Sequence, residues 1–286
     1  MMAVGANRAA DTKSRKPLTV LVTGSTDGIG RATVTALARQ GHCVLIHGRD
    51  PEKGRRVVEV IRRDTGSTFL EFFTADLASR RQVRSLAAAV QSRFTRLDVL
   101  INNAGVYMPE RVVTEDGIEM TFAVNLLAPF LLSRLLLPSL EAAAPARVVN
   151  VASIAHFDAE ELDWDNLQGE RHYDAWQAYA LSKLGVILFT DALAERLDPA
   201  KVTVNCLHPG VICTKLLYSA FPDYPCDPPE TGALTPVYLA TSPEVASVTG
   251  KYFDGMKEAR TSRIAHNNEV RDRFWMMMES LAAGEK

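Results

Sequence analysis

Short apolar runs alternate along the chain with longer stretches in which apolar residues recur every three or four positions. The first kind predicts buried strands and the second amphipathic helices. Strands are expected over Leu18 to Val22, Cys43 to His47, Phe69 to Thr74, Val99 to Ile101, Arg147 to Val151, Val202 to Leu207 and Lys251 to Phe253. Helices are expected after Gly28 as far as Gly41, over Glu52 to Arg63, Ser79 to Phe94 and Glu230 to Leu239, and around Tyr179. The stretch from Met120 to Leu140 is the greasiest, but Asn125, Pro129 and Arg134 interrupt it, so it reads as a buried or interface helix rather than a membrane span. From Ala259 onward a helical tail is expected, with Trp275 and neighbouring methionines as a docking face. The alternation predicts one α/β domain over residues 17–286, since 286 residues at 47% hydrophobic composition can bury a full core.

Residues 1–16 fall outside the pattern. They are polar, carry Lys13, Arg15 and Lys16, and are expected to be a disordered leader. Residues 156 to 173 are charged and irregular, and Lys215 to Glu230 combines aromatic residues with four prolines without periodicity. The second of these, within 213–230, is expected to be a mobile lid over an apolar substrate.

Charge changes the picture little. Lysine plus arginine total 32 against 34 acids, and a net charge of −2 offers no general attraction to nucleic acid or to an anionic membrane. Cys43, Cys206, Cys213 and Cys226 show no C-x-x-C pairing and no secretory signal precedes them, which points to a reducing, cytoplasmic setting. No metal-ligand spacing is present.

Chemistry gathers where the strands end. The first strand runs into Thr23-Gly24-Ser25-Thr26-Asp27-Gly28-Ile29-Gly30 and then a helix. Glycines let backbone approach a phosphate closely, and the helix N-terminus meets its charge, so this is a candidate dinucleotide loop. The second strand ends in Gly48-Arg49-Asp50. A carboxylate at that tip would bond the hydroxyls of an adenosine ribose, whereas an arginine would pair with a 2′-phosphate. Gly48 stands where the carboxylate is expected and Arg49 follows it, which favours NADP over NAD; Asp50 and Asp27 are the acids that speak against it.

Asp76-Leu77 closes the third strand, where the acid can accept from an adenine amino group or cap the next helix. Asn102-Asn103-Ala104-Gly105 closes the fourth, with small residues and amides suited to a cofactor lying across the sheet edge. Ser153 follows the fifth strand, and Pro209-Gly210-Val211 with Thr214 follow the sixth. In Tyr179-Ala-Leu-Ser-Lys183 a helix sets tyrosine and lysine on one face, where an ammonium can lower a phenol pKa toward working range, though the spacing by itself more often marks an ordinary helical surface pair. Asn125, within the long apolar helix, must find hydrogen-bond partners or cost stability.

Taken together and in order, TGSTDGIG, NNAG, Asn125, Ser153, YALSK and HPGV resemble the short-chain dehydrogenase/reductase superfamily, over about Leu18 to Gly255. The segment VASIAHFDAEELDWDNLQGERHY before YALSKLGVILF resembles its retinol-dehydrogenase-like branch, which includes the oxidoreductase domain of WW-domain oxidoreductases. The resemblance implies a single-domain Rossmann fold, a doubly wound seven-stranded parallel sheet. It implies Tyr179 as proton donor and acceptor, Lys183 on the nicotinamide ribose, Ser153 orienting the substrate oxygen and Asn125 holding a water in a proton relay. Gly24, Ser25, Thr26, Gly28, Ile29 and Gly30 would receive the pyrophosphate, Arg49 the 2′-phosphate, and Asp76 and Leu77 the adenine. Asn102, Ala104 and Gly105 would lie along the ribose and sheet edge; Pro209, Gly210, Val211 and Thr214 would position the nicotinamide.

The expected activity is NADP(H)-dependent interconversion of a carbonyl and an alcohol on a small apolar aldehyde, ketone or alcohol, with NAD(H) as the second cofactor choice. The resembled branch includes members with a hydrophobic N-terminal anchor, and none is expected here. A homodimer through the helices bearing Asn125 and Tyr179 is compatible with the pattern. The competing readings are a catalytically silent NADP(H)-binding sensor, which should lack Tyr179 or Lys183, and a scaffold protein, which should carry further modules.

Overall fold

The computed structural model describes residues 16–159 and 161–284, so the expected leader lies almost wholly outside the described residues. Strand β1 (Thr19–Val22) shows how the sheet is built. Val20 and Val22 point to one face and Leu21 to the other, the period of two that any strand imposes. The same split recurs in β2 (Cys43–Gly48), where Val44 and Ile46 oppose Leu45, and in β4 (Val99–Asn102), where Val99 and Ile101 oppose Leu100. Both faces are therefore covered, as a parallel sheet requires.

The remaining strands are β3 (Leu70–Thr74), β5 (Ala146–Val151), β6 (Val202–His208), β7 (Lys251–Asp254) and β8 (Lys257–Ala259). They form one sheet in the order β3-β2-β1-β4-β5-β6-β7-β8, in which only the β7–β8 pair is antiparallel. The expected seven parallel strands are present, and an eighth is added to the edge. The sequence pattern ends its last strand at Phe253 and begins the helical tail at Ala259, so it leaves this three-residue strand unassigned. Gly255 and Met256, at φ +54° and +64°, make the two-residue turn that reverses the chain there.

Helices α1 (Gly28–Arg39), α2 (Pro51–Thr65) and α8 (Pro229–Thr241) cover the face of Val20 and Ile46. The other face carries α3 (Arg80–Arg93), α5 (Ala128–Ala143), α6 (Ala175–Arg196) and α9 (Asn268–Ala283). Trp275 of α9 is buried against Phe130 with ring centroids 5.0 Å apart, so the expected docking face does seat the tail. A single turn, α4 (Met120–Phe122), leads into a wider turn at Ala123–Leu127 before α5. There Ala128 N–H reaches back five residues to Ala123, a π-bulge of the kind that re-aims side chains at functional sites. The continuous helix Met120–Ala143 is long and apolar enough to cross a bilayer, and it is packed inside the molecule. Finally α7 (Lys215–Ala220) gives the expected irregular lid a short helix, capped by Thr214.

Candidate active site

The sheet order reverses between β1 and β4, and the crevice beyond the C-terminal ends of those strands is where such sheets bind ligands. Gly24 and Gly28 sit there with φ of +63° and +48°. A Cβ on Gly24 would lie 2.8 Å from Ala104 Cα, and one on Gly30 would lie 2.5 Å from Asn103 Nδ2. The loop is thus folded flat against the end of β4, where only glycine fits. Ser25 Oγ donates to Val22 O and accepts from His47 N–H, which locks the loop to β2. Thr26 packs over Gly48, where any side chain would meet its methyl group. Ile29 reaches toward Gly232 of α8 and anchors the start of α1.

His47 was not foreseen as part of this loop. Its Nδ1 accepts from Gly24 N–H at 3.1 Å and its Nε2 donates to Ala75 O at 3.2 Å. Burial lowers its pKa to about 4, so the ring is neutral and can do both at once. Asn103, one of the two amides read at the end of the fourth strand, ties the loop there: its amide donates to Thr23 O at 2.8 Å and Gly24 O at 3.3 Å. Asn102, by contrast, turns inward and donates to Ser133 Oγ and Asn150 Oδ1, away from the crevice. Of the adjoining pair, the amide that serves the loop is the second.

At the adenosine end, Arg49 is exposed at the tip of β2. Asp50, the competing acid, is committed as the cap of α2, accepting from Glu52 and Lys53 N–H at 2.9 and 3.0 Å. Asp27 pairs with Lys53 at 2.7 Å and Lys215 at 3.0 Å, and its hydrogen bond to Lys53 leads the effects that hold its pKa near 2. A groove of about 310 Å³ beside it is lined by Arg31, Lys53 and Arg56. Asp76 closes a turn onto Ala78 N–H while Ser79 caps α3, and Leu77 is buried in the core. Of the two roles expected for Asp76, helix cap falls to Ser79, and the Leu77 side chain packs inward rather than toward a ligand.

The catalytic candidates converge at the other end. Tyr179 and Lys183 lie one turn apart on α6, both buried, with Lys183 Nζ donating to Val151 O at 2.9 Å. Ser153, directly beyond β5, hydrogen-bonds the Tyr179 hydroxyl and draws its pKa down, but burial dominates and leaves it near 12. Burial also lowers Lys183 to about 8. The expected lowering of the phenol by its lysine is not among the effects on Tyr179: burial leads and Ser153 opposes it, while Lys183 Nζ stands 5.5 Å from the ring centroid.

Asn125 projects from the π-bulge, accepts from Val106 N–H at 2.7 Å and donates to Val106 O and Ser182 Oγ. Gly105 lies between it and Lys183, within 3.8 Å of a Cβ position. Pro209, Gly210 (φ +94°) and Val211 follow β6, and His208 Nδ1 accepts from Ile154 N–H, tying that strand end to the Ser153 turn. Thr214 closes over Gly28, so the lid begins against the glycine loop.

Cys213 and Cys226 form a disulfide across the base of the lid, while Cys43 and Cys206 are free. The reading of a reducing setting from the cysteine pattern did not anticipate this bond. C-x-x-C spacing could not have revealed it, because a bridge at Ile212 and Asp227 brings the two together from 13 residues apart. Among the described residues no cluster of metal-binding side chains occurs.

Residues 18–225 match the short chain dehydrogenase family model. The chain belongs to the short-chain dehydrogenase family. Within this family it falls in the retinol-dehydrogenase-like branch. It is 42% identical over 272 residues to human retinol dehydrogenase 13, covering 90% of this chain and 82% of that protein. It is 40% identical to mouse polyprenol dehydrogenase, covering 89% of this chain and 81% of that one. Among solved structures, a short-chain dehydrogenase of Shigella flexneri complexed with NADP matches at TM-score 0.68 and 27% identity, over 84% of this chain and 97% of that one. As a short-chain dehydrogenase, this chain is an oxidoreductase of a class that uses a nicotinamide dinucleotide, and the flat glycine cradle at β1 and β4 fits one.

Proposed function

We propose that this short-chain dehydrogenase is an NADP(H)-dependent oxidoreductase that interconverts a carbonyl and an alcohol on an apolar substrate. The observation that carries the reading is the convergence of Tyr179, Ser153 and Lys183 beside a buried asparagine, at the end of a glycine-lined crevice. When bound, the dinucleotide would supply the hydride in its reduced form for carbonyl reduction and accept it in its oxidised form for alcohol oxidation. Tyr179 gives a proton to the carbonyl oxygen in one direction and takes it from the alcohol in the other. Ser153 holds that oxygen beside the phenol, and its hydrogen bond already favours the phenolate. Lys183 is held by Val151 O with its charge inside the site, and Asn125 fixes the Val106 backbone that forms the facing wall.

Preference for NADP rests on Arg49 at the tip of β2, on the groove beside Asp27 that Arg31, Lys53 and Arg56 line, and on the prior engagement of Asp50 and Asp27. The structural relative solved with NADP supports the same choice. Relatives named for retinol and for polyprenol support an apolar substrate, as do the exposed Ile154, Phe157 and Val211 around the site.

The test follows NADPH and NADH consumption with a panel of apolar aldehydes and ketones. Tyr179→Phe should lower kcat by about a thousandfold, the scale of positioned acid–base catalysis, while still binding cofactor. Arg49→Ala should raise KM for NADPH about tenfold and leave that for NADH unchanged. Undiminished turnover by Tyr179→Phe would overturn the catalytic assignment, and equal effects on both cofactors would overturn the NADP preference.

A further inference from the structure

Trp176 is the residue of the site region that the reaction chemistry does not use. It lies three positions before Tyr179 on α6 and therefore on the same face. Its ring is tilted 34° to the Tyr179 ring with centroids 5.9 Å apart, and it meets Phe221 of the lid edge-on at 5.4 Å. Phe221 in turn contacts Tyr224 at 5.9 Å, and Tyr107 closes the far side of Tyr179 at 6.0 Å. Trp176 is also aimed: its Nε1 donates at 3.0 Å to Asp158, at the end of the 3-10 turn that Ser153 caps. One indole thus joins the helix of the phenol, the turn of the serine and the lid.

We infer that Trp176 and Phe221 are specificity-determining residues that select flat aryl carbonyl compounds over saturated chains of similar size. A substrate oxygen must reach the hydroxyls of Tyr179 and Ser153, so the group on the carbonyl carbon has to run along the wall these two residues make. Phe221 is 41% exposed and Tyr224 54%, which leaves aromatic surface available to a ligand. A flat ring can meet such surface in stacked or edge-to-face geometry, which adds to the burial that any apolar group gains. A saturated chain gains burial alone. The hydrogen bond to Asp158 holds the indole in place, which lowers the ordering cost at that part of the wall. The inference rests on the proposed oxidoreductase reading and narrows its substrate class.

The test measures binding and turnover separately. Equilibrium dialysis of 2-naphthaldehyde and of decanal against the protein without reductant gives affinities that need no catalysis. The wild-type chain should prefer the naphthyl compound, and Trp176→Leu should lower its affinity about five- to tenfold, the range of aromatic pair effects, with decanal changed less than about twofold. Trp176→Phe should keep most of the preference. Phe221→Leu lies on the exposed lid, where folding is not at stake, and should lose part of it.

Equal affinity for both compounds in the wild-type chain, binding of neither, or parallel changes in the Leu variants would overturn the inference. If the preference and its loss are seen but neither compound is reduced with NADPH, the wall stands and the oxidoreductase reading fails. Turnover without aryl preference would mean the reverse.

Discussion

Lys183 carries its charge in a place that disfavours it, and the pH dependence of the enzyme should report this. Burial brings its pKa to about 8, so the ammonium is lost on raising pH through that value. The kcat–pH profile is expected to fall on its alkaline side near pH 8, measured with NADPH and a good aldehyde. A profile flat to pH 10 would mean that the lysine charge is not used. Asp191, on the same helix but away from the reaction, titrates in the opposite sense. Burial raises its carboxyl from 3.8 to about 7, partly offset by Arg271. The folded chain therefore keeps a proton that the unfolded chain releases, and the stability this gives is present below about pH 4 and lost as pH rises through 7. Asp191→Asn should raise the unfolding free energy at pH 8 by on the order of 2 kcal/mol and change it little at pH 4, as denaturant titrations would reveal. Of the residues discussed, Tyr179, Lys183 and Ser153 stood out in the sequence through the order of motifs that resembles the family, because a tyrosine and a lysine four apart on a helix read by themselves as an ordinary surface pair. The sign of the tyrosine shift was not legible, since burial is a property of the whole packing and no spacing encodes it.

Among the elements, the turn between β1 and α1 has the least freedom to vary. Gly24→Ala would force a side chain into φ +63° and within 2.8 Å of Ala104 Cα. A loss of about 1–3 kcal/mol of stability and a marked rise in the Kd for NADPH are expected, by thermal melting and fluorescence titration; a variant as stable as the parent would show the loop to be slack. The alternating β-α units were legible because each is long and periodic. The β8 hairpin and α7 were not, because three and six residues are too few to establish a period, and a Gly-Met turn carries no common turn signature. At the far end α9 was foreseen as a docking element from its tryptophan and methionines, and Trp275→Ala should cost about 3–5 kcal/mol as the contact with Phe130 and Arg196 is lost.

Across the whole molecule the sheet separates two apolar layers, while its C-terminal edge carries nearly all of the chemistry. Cofactor loop and lid meet at that edge through the ion pair of Asp27 with Lys215 and the packing of Thr214 on Gly28. The Cys213–Cys226 bond fixes the two ends of the lid to each other as well. A double Cys213→Ser/Cys226→Ser chain is expected to lose on the order of 3 kcal/mol, by the loop-closure model, and to be cut faster by trypsin after the exposed Lys215. The position of that bond has a topological consequence. A cut anywhere between Cys213 and Cys226 opens a ring and does not sever the chain, so the nicked wild-type protein should migrate as one species in denaturing gels and part into two only when a thiol is added.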